Sequence, residues 1–217
     1  MKIMETSARL LNPFLDELSD EFYLQILLKH VEKCGRICYL SEPKDPEGST
    51  EKFVRMLIKN GHESPLEHGS CTFKIVTDRA ISQEIVRHRL ASYSQESTRY
   101  CNYANGREIT VIESSGLAEN EAREWLNLME MSERTYLHQI DAGVKPEKAR
   151  DVLPLCLKTE LMMTANFREW RHFLKLRGSR MAHPEIRKIA NQIYQIFQQA
   201  IPVLVEDIEI FDDDAAE

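Results

Sequence analysis

The 217-residue chain is 42% hydrophobic and 29% charged, which suits a single folded domain over 1–217. A fold of that length buries roughly 70% of the surface its unfolded chain exposes and needs no disulfide or metal staple. Thirty-five acids against 28 bases give a net charge of -7, which weighs against a partner held by positive surface such as nucleic acid. No run of about 20 apolar residues is present to span a membrane. The opening MKIMETSARLL lacks a signal-like apolar stretch, so a cytoplasmic setting is expected.

Leu18, Phe22, Ile26, Leu27, Val31 and Cys34 recur at helical spacing and predict a helix over 15–35. Phe53, Leu57 and Ile58 predict a second over 50–60, ended by Gly61. GHESPLEH (61–68) is a polar turn around Pro65, and the alternating SCTFKIVT (70–77) predicts a strand. Asp78 is placed to cap a helix from Arg79 to about Leu90, followed by a Ser/Gln/Thr loop. REITVIE (107–113) predicts another strand. A long amphipathic helix follows over Glu119–Ile140, with Ala122, Trp125, Met129, Tyr136 and Ile140 as its core stripe.

Gly143 ends that helix and Pro146 restarts the chain. LKTELMMT (157–164) predicts a strand, and helices are expected over 166–177 and 184–199, with Asn166 capping the first and Pro184 near the start of the second. Strands and helices intersperse without βαβ spacing. The expected class is α+β, a mostly antiparallel sheet flanked by helices. The tail EDIEIFDDDAAE reads as a solvated end. Cys34, Cys38, Cys71, Cys101 and Cys156 show no zinc spacing and read as reduced, inert thiols, so no metal is expected.

The stretch that carries chemistry is RHRLASYSQESTR (87–99). Arg87, Arg89 and Arg99 present planar forks of donors, and Ser92, Ser94 and Ser97 add hydroxyls. This is a local anion site within an acidic chain, better matched to a small phosphorylated ligand than to a polymer. A blander account stands beside it. Arg87 and Arg89 sit where a helix end favours cations, and His88 continues the apolar face of Ile81 and Ile85 as a core histidine would. A base-stacking module using Tyr93, Tyr100 and Tyr103 is a further reading, disfavoured by net charge. Arg168 and His172 share a face in NFREWRHFLKLR (166–177), where Phe167, Trp170 and Leu174 read as core.

The segment 87–99 resembles the signature of the flavin-dependent thymidylate synthases, R-H-R-x-x-S followed by S-x-R, at Arg87, His88, Arg89, Ser92, Ser97 and Arg99. GHESPLEH, ARDVLPL (149–155) and NFREWRHFLKLR resemble other segments of that family in the family's order, from about 61 to 180. The resemblance implies the fold of that family and methylation of deoxyuridine monophosphate (dUMP) at carbon 5, with methylenetetrahydrofolate giving the carbon and NADPH-reduced FAD the reducing equivalents. It implies a homotetramer with FAD at subunit interfaces, and neither nucleic acid nor membrane as a partner.

By the same resemblance, Arg177 is the catalytic residue, promoting ionisation of the uracil. Ser64, Arg87, His88, Arg89, Gln95, Asn166, Phe167, Arg168 and His172 are the flavin positions. Glu84, Arg87, Gln95, Glu96, Ser97, Thr98, Arg99, Arg150 and Arg177 are the nucleotide positions. Three of these depart from common family residues. Glu84 stands for glutamine, Gln95 for glutamate, and His172 for the asparagine of some members, which makes the last contact pH-dependent.

Overall fold

The computed structural model describes residues 1–14, 17–42, 48–106, 108–114 and 116–211. Among them the chain runs β1 (Lys2–Met4), β2 (Ser7–Leu10), α1 (Asp20–Tyr39), α2 (Ser49–Lys59), a 3-10 turn (Ser64–His68), β3 (Ser70–Asp78) and α3 (Arg79–Ile85). It continues through β4 (Ala91–Gln95), β5 (Thr110–Ile112), α4 (Glu119–Asp141), α5 (Pro146–Ala149), β6 (Lys158–Asn166), α6 (Phe167–Arg177) and α7 (Pro184–Ala200). Contacts divide the chain into two compact units. One holds Met1–Thr6, Val76–Arg87 and Ser94–Leu161; the other holds Ser7–Ile75, His88–Tyr93 and Met162–Glu217.

The second unit is built on α1, α2, α6 and α7. Ser19 starts α1 by accepting from Phe22 N at 3.2 Å, and the helix buries Leu24, Leu28 and Val31 one turn apart. Phe73, Trp170 and Phe197 form an aromatic core, with Phe73 edge-on to Trp170 at 4.9 Å and to Phe197 at 5.5 Å. The indole pays no penalty for burial, because Trp170 Nε1 donates to Cys71 O at 3.2 Å.

The first unit has its own core of Tyr103, Ile109, Tyr136, Ala149 and Leu157. Here β1 pairs with β5 in parallel, Lys2 opposite Thr110 and Met4 opposite Ile112. On α4, Met129 and Tyr136 are buried as predicted, whereas Ala122, Trp125 and Ile140 are only half covered.

The class is α+β, as the interspersed pattern implies. A four-stranded sheet has the order β2-β3-β6-β4. Its long strands run antiparallel: Phe167 N donates to Gly69 O, Thr72 meets Thr164, and Arg79 N donates to Leu157 O. Four sequence expectations need correction. The tail expected to be solvated is packed as far as Phe211, with Asp207 paired to Arg171 at 2.7 Å and Ile208 buried, while residues 212–217 lie outside the described residues. The first helix begins at Asp20, where Ser19 caps it, rather than at 15; residues 15 and 16 lie outside the described residues, as does Arg107 of the predicted 107–113 strand. The helix after Asp78 stops at Ile85, so Arg87 and Arg89 follow it rather than closing it. Residues 91–95 form a strand rather than a loop, with Ala91, Tyr93 and Gln95 half-buried and Ser92 and Ser94 exposed. Pairing with β6 fixes that strand, which its polar composition did not reveal.

Candidate functional site

In the second unit the scaffold is α6. Asn166 caps it by accepting from Glu169 N at 2.9 Å, as its position predicts. The Glu169 carboxylate is buried and serves two imidazoles, meeting His88 Nδ1 at 2.9 Å and His172 Nδ1 at 3.2 Å. From the other side, Arg177 Nε donates to His88 Nε2 at 3.2 Å. A guanidinium only donates and a carboxylate only accepts. His88 therefore carries its proton on Nδ1 and offers a lone pair at Nε2, which makes it neutral.

Electrostatics agree with that assignment. Burial lowers the pKa of His88 below the ordinary histidine value. Glu169 pulls it back, while Arg177 and His172 push in the same direction as burial. Protonated His88 would set an N–H against the N–H of Arg177. The imidazole is 3% exposed, packs 4.9 Å from the Phe173 ring, and has its backbone carbonyl held by the Tyr93 hydroxyl at 2.7 Å. Burial, with Glu169 adding to it, pushes the Tyr93 phenol up to about 12, so it stays a donor.

Around this network the second unit presents two grooves. One, of about 640 Å³, is lined by Glu63, Glu67, Leu90, Asn166, Arg168 and His172 among others. The other, of about 470 Å³, is lined by Tyr39, Leu57, His62, Ser64 and Arg168 among others. Four expected flavin positions, Ser64, Asn166, Arg168 and His172, thus line grooves that have Arg168 in common. Arg168 is ion-paired with Glu67 at 2.6 Å and Glu63 at 3.3 Å. Arg89 is exposed, whereas the Phe167 side chain is fully buried and stacks edge-on to Phe197 as core.

The first unit gathers most of the expected nucleotide positions. Gln95 closes β4 and donates from Nε2 to Ser82 Oγ at 3.0 Å and Thr159 Oγ1 at 3.2 Å. Arg79 ties the next residue down, donating to Glu96 O at 3.1 Å. The Glu96 carboxylate accepts from Lys158 Nζ at 3.3 Å; burial opposes the lysine's charge, but Glu160 and Glu96 together hold it above its ordinary pKa.

Beyond Glu96 the chain turns. Ser97 Oγ accepts from Arg99 N at 3.3 Å, and Arg150 Nη1 donates to Thr98 Oγ1 at 3.3 Å. Arg99 Nε lies 3.6 Å from Glu147, and the Arg99 side chain is 59% exposed. Arg99 and the hydroxyls of Ser97 and Thr98 on this turn, with Arg150 reaching Thr98 from a separate segment, are donors of the kind a phosphate needs. Glu84 lies on α3 three residues before the exposed Arg87, whose N–H donates to the Glu84 carbonyl at 3.3 Å.

The family model described as "Thymidylate synthase complementing protein" matches residues 25–203. This chain belongs to that family. It is 34% identical over 185 residues to a flavin-dependent thymidylate synthase of Geobacter sulfurreducens, covering 82% of this chain and 80% of that one. It is 32% identical over 200 residues to the enzyme of the same name from Mycobacterium avium, covering 83% and 79%. Its fold superposes on the UMP/dUMP methylase PolB from Streptomyces cacaoi, solved bound with 5-Br dUMP. That match has a TM-score of 0.76 and 26% identity, over 95% of this chain and 96% of that one.

Seen as a thymidylate synthase complementing protein, the chain uses residues that sequence reasoning passed over. Glu169 is the hub of the His88 network, yet Asn followed three positions later by Glu reads as an ordinary capping pattern. Arg79, Glu147 and Lys158 shape the 95–99 segment from distant stretches of sequence, and no local spacing announces them. No helix among the described residues is long and apolar enough to cross a membrane.

Proposed function

We propose that this chain is a flavin-dependent thymidylate synthase. It methylates carbon 5 of dUMP, taking the carbon from methylenetetrahydrofolate and using NADPH to reduce FAD. The observation that carries this reading is the family match across residues 25–203, joined to a site in which the signature histidine, His88, holds the guanidinium of Arg177.

The residues present fit FAD. The larger groove combines cationic donors, Arg168 and Lys175, with an exposed apolar Leu90, which matches a cofactor that is anionic at its diphosphate and apolar at its ring; a diphosphate would take the place of Glu63 and Glu67, which line the groove too and hold Arg168 on the single chain. Asn166, Arg168 and His172 would hold it there, with Ser64, Arg87, His88, Arg89, Gln95 and the Phe167 position contributing as the resemblance implies. When bound and reduced, the flavin supplies the reducing equivalents.

Ser97, Thr98, Arg99 and Arg150 bind the nucleotide phosphate, with Glu84, Arg87, Gln95 and Glu96 as the remaining nucleotide positions. Arg177 places a permanent cation beside the uracil, stabilising its anion at nitrogen 3 and enriching the ring. His88 keeps that guanidinium in one orientation, and Glu169 keeps His88 in the tautomer that can accept from it.

The working assembly is a cytoplasmic homotetramer with FAD at subunit interfaces. In support, Ile37, Tyr39 and Leu40 stand exposed close together at the end of α1 on the single chain. The test is product formation with purified protein. Thymidylate should appear only when dUMP, methylenetetrahydrofolate and NADPH are all supplied, from a yellow preparation absorbing near ~450 nm. Colourless protein, or methylation of UMP in preference to dUMP, would overturn the assignment.

A further inference from the structure

We propose that His30, Cys34 and His68 form a binding site for a borderline-soft divalent cation, best matched by zinc(II). The three residues lie together in the second unit, outside the flavin and nucleotide positions. Their ligand atoms all fall within 4.8 Å of one another, and Cys34 Sγ is 3.6 Å from His30 Nε2. A tetrahedral zinc ion with bonds of about 2.3 Å to sulfur and 2.0–2.1 Å to nitrogen requires a sulfur–nitrogen separation of about 3.6 Å. The His30–Cys34 edge already has that length. The His30 and His68 rings stand edge to face, 6.4 Å apart between centroids, and both residues are exposed, so modest side-chain rotation closes the remaining edges.

The backbone brings these groups together for identifiable reasons. His30 and Cys34 are one turn apart on α1 and share a face. His68 ends the 3-10 turn that packs on that helix. The approach is close on both sides. A Cβ on Gly35 would lie 3.3 Å from Pro65, and one on Gly69, next to His68, would lie 2.9 Å from Val31. Glycine at these two points lets the turn seat against α1 and fixes His68 beside the His30–Cys34 pair.

The donor set selects the ion. Two imidazoles and a thiolate are borderline and soft donors, which favour zinc over magnesium or calcium. Three protein ligands leave a fourth position for water. Zinc binds cysteine as the thiolate, so the thiol proton leaves as the bond from Cys34 to the metal forms. Among the described residues, a second close cluster, His88, Glu169 and His172, offers no comparable site. Both nitrogens of His88 and Nδ1 of His172 already serve Glu169 and Arg177, and the Arg177 guanidinium faces the cluster. An ion on His30, Cys34 and His68 would join α1 to the turn that carries Ser64, a structural tether beside a proposed flavin position.

Cobalt(II) substitution tests this on the full, reduced, metal-stripped chain. The expected result is one cobalt per chain, with tetrahedral visible bands and a thiolate charge-transfer band, both displaced by zinc. Cys34→Ser should abolish the charge-transfer band, and Cys38→Ser should keep it. His30→Ala and His68→Ala should each weaken binding at least about tenfold, and zinc should raise the Tm of the parent chain but not of Cys34→Ser. Absence of a one-equivalent thiolate band in the parent chain overturns the proposal whatever the variants do. So does a band that follows Cys38 or survives both histidine changes.

Discussion

Glu169, His88 and Arg177 form one hydrogen-bonded line through the site. Glu169→Leu removes the acceptor for a buried Nδ1–H and should cost about 1–3 kcal/mol of stability, read from denaturant unfolding. The same change should release His88 from one tautomer and reduce turnover more than it reduces dUMP affinity. Equal losses in both would assign Glu169 a merely structural part. The lowered pKa of His88 also sets a pH dependence. As pH falls below the ordinary histidine value of 6.5, the unfolded chain takes up a proton that the folded chain resists, so stability declines. Unfolding midpoints across that range should fall less steeply in His88→Gln. Arg99→Ala should weaken dUMP binding by about 1.5–3 kcal/mol, through loss of a charged hydrogen bond, as isothermal titration would record; unchanged affinity would remove the turn from the phosphate site. Arg87, His88, Arg89, Ser97 and Arg99 stand out in sequence as candidates because rare residue types fall within thirteen positions. Glu169 was not, because burial gives it its role and spacing does not record burial.

Among the elements, legibility followed periodicity. The 70–77 strand, the long helix from Glu119 and the helix capped by Asn166 carry strong local patterns, and each lies within a residue or two of its expected span. The short strands β1, β2 and β4 went unseen. Their sequences are mixed or polar, and their extended form comes from partners elsewhere in the chain. The end of α3 was misplaced because apolar spacing continues past Ile85 while the backbone turns at Val86 and Arg87. The position of α6 depends on a close approach that one glycine permits. A Cβ on Gly69 would lie 2.5 and 2.6 Å from Phe167 ring atoms and 2.9 Å from Val31. Gly69→Ala should therefore cost about 1–3 kcal/mol, visible as a lower unfolding midpoint, and should loosen flavin through displacement of α6.

For the whole molecule, the negative net charge and the local concentration of guanidinium groups point to small anionic ligands rather than a polymer. Ser64→Trp places bulk in the groove that Ser64 shares with Arg168. It should release flavin or break the proposed tetramer, seen together by absorbance and sedimentation velocity; an intact yellow tetramer would contradict the proposed interface. The most direct measurement is tritium release from dUMP labelled at carbon 5, comparing the parent chain with Arg177→Ala. The parent should release tritium only with reduced flavin present, and Arg177→Ala should keep its FAD yet release none. Release at the parental rate from Arg177→Ala, or none from a parent carrying reduced flavin and supplied with methylenetetrahydrofolate, would contradict the proposed role of Arg177.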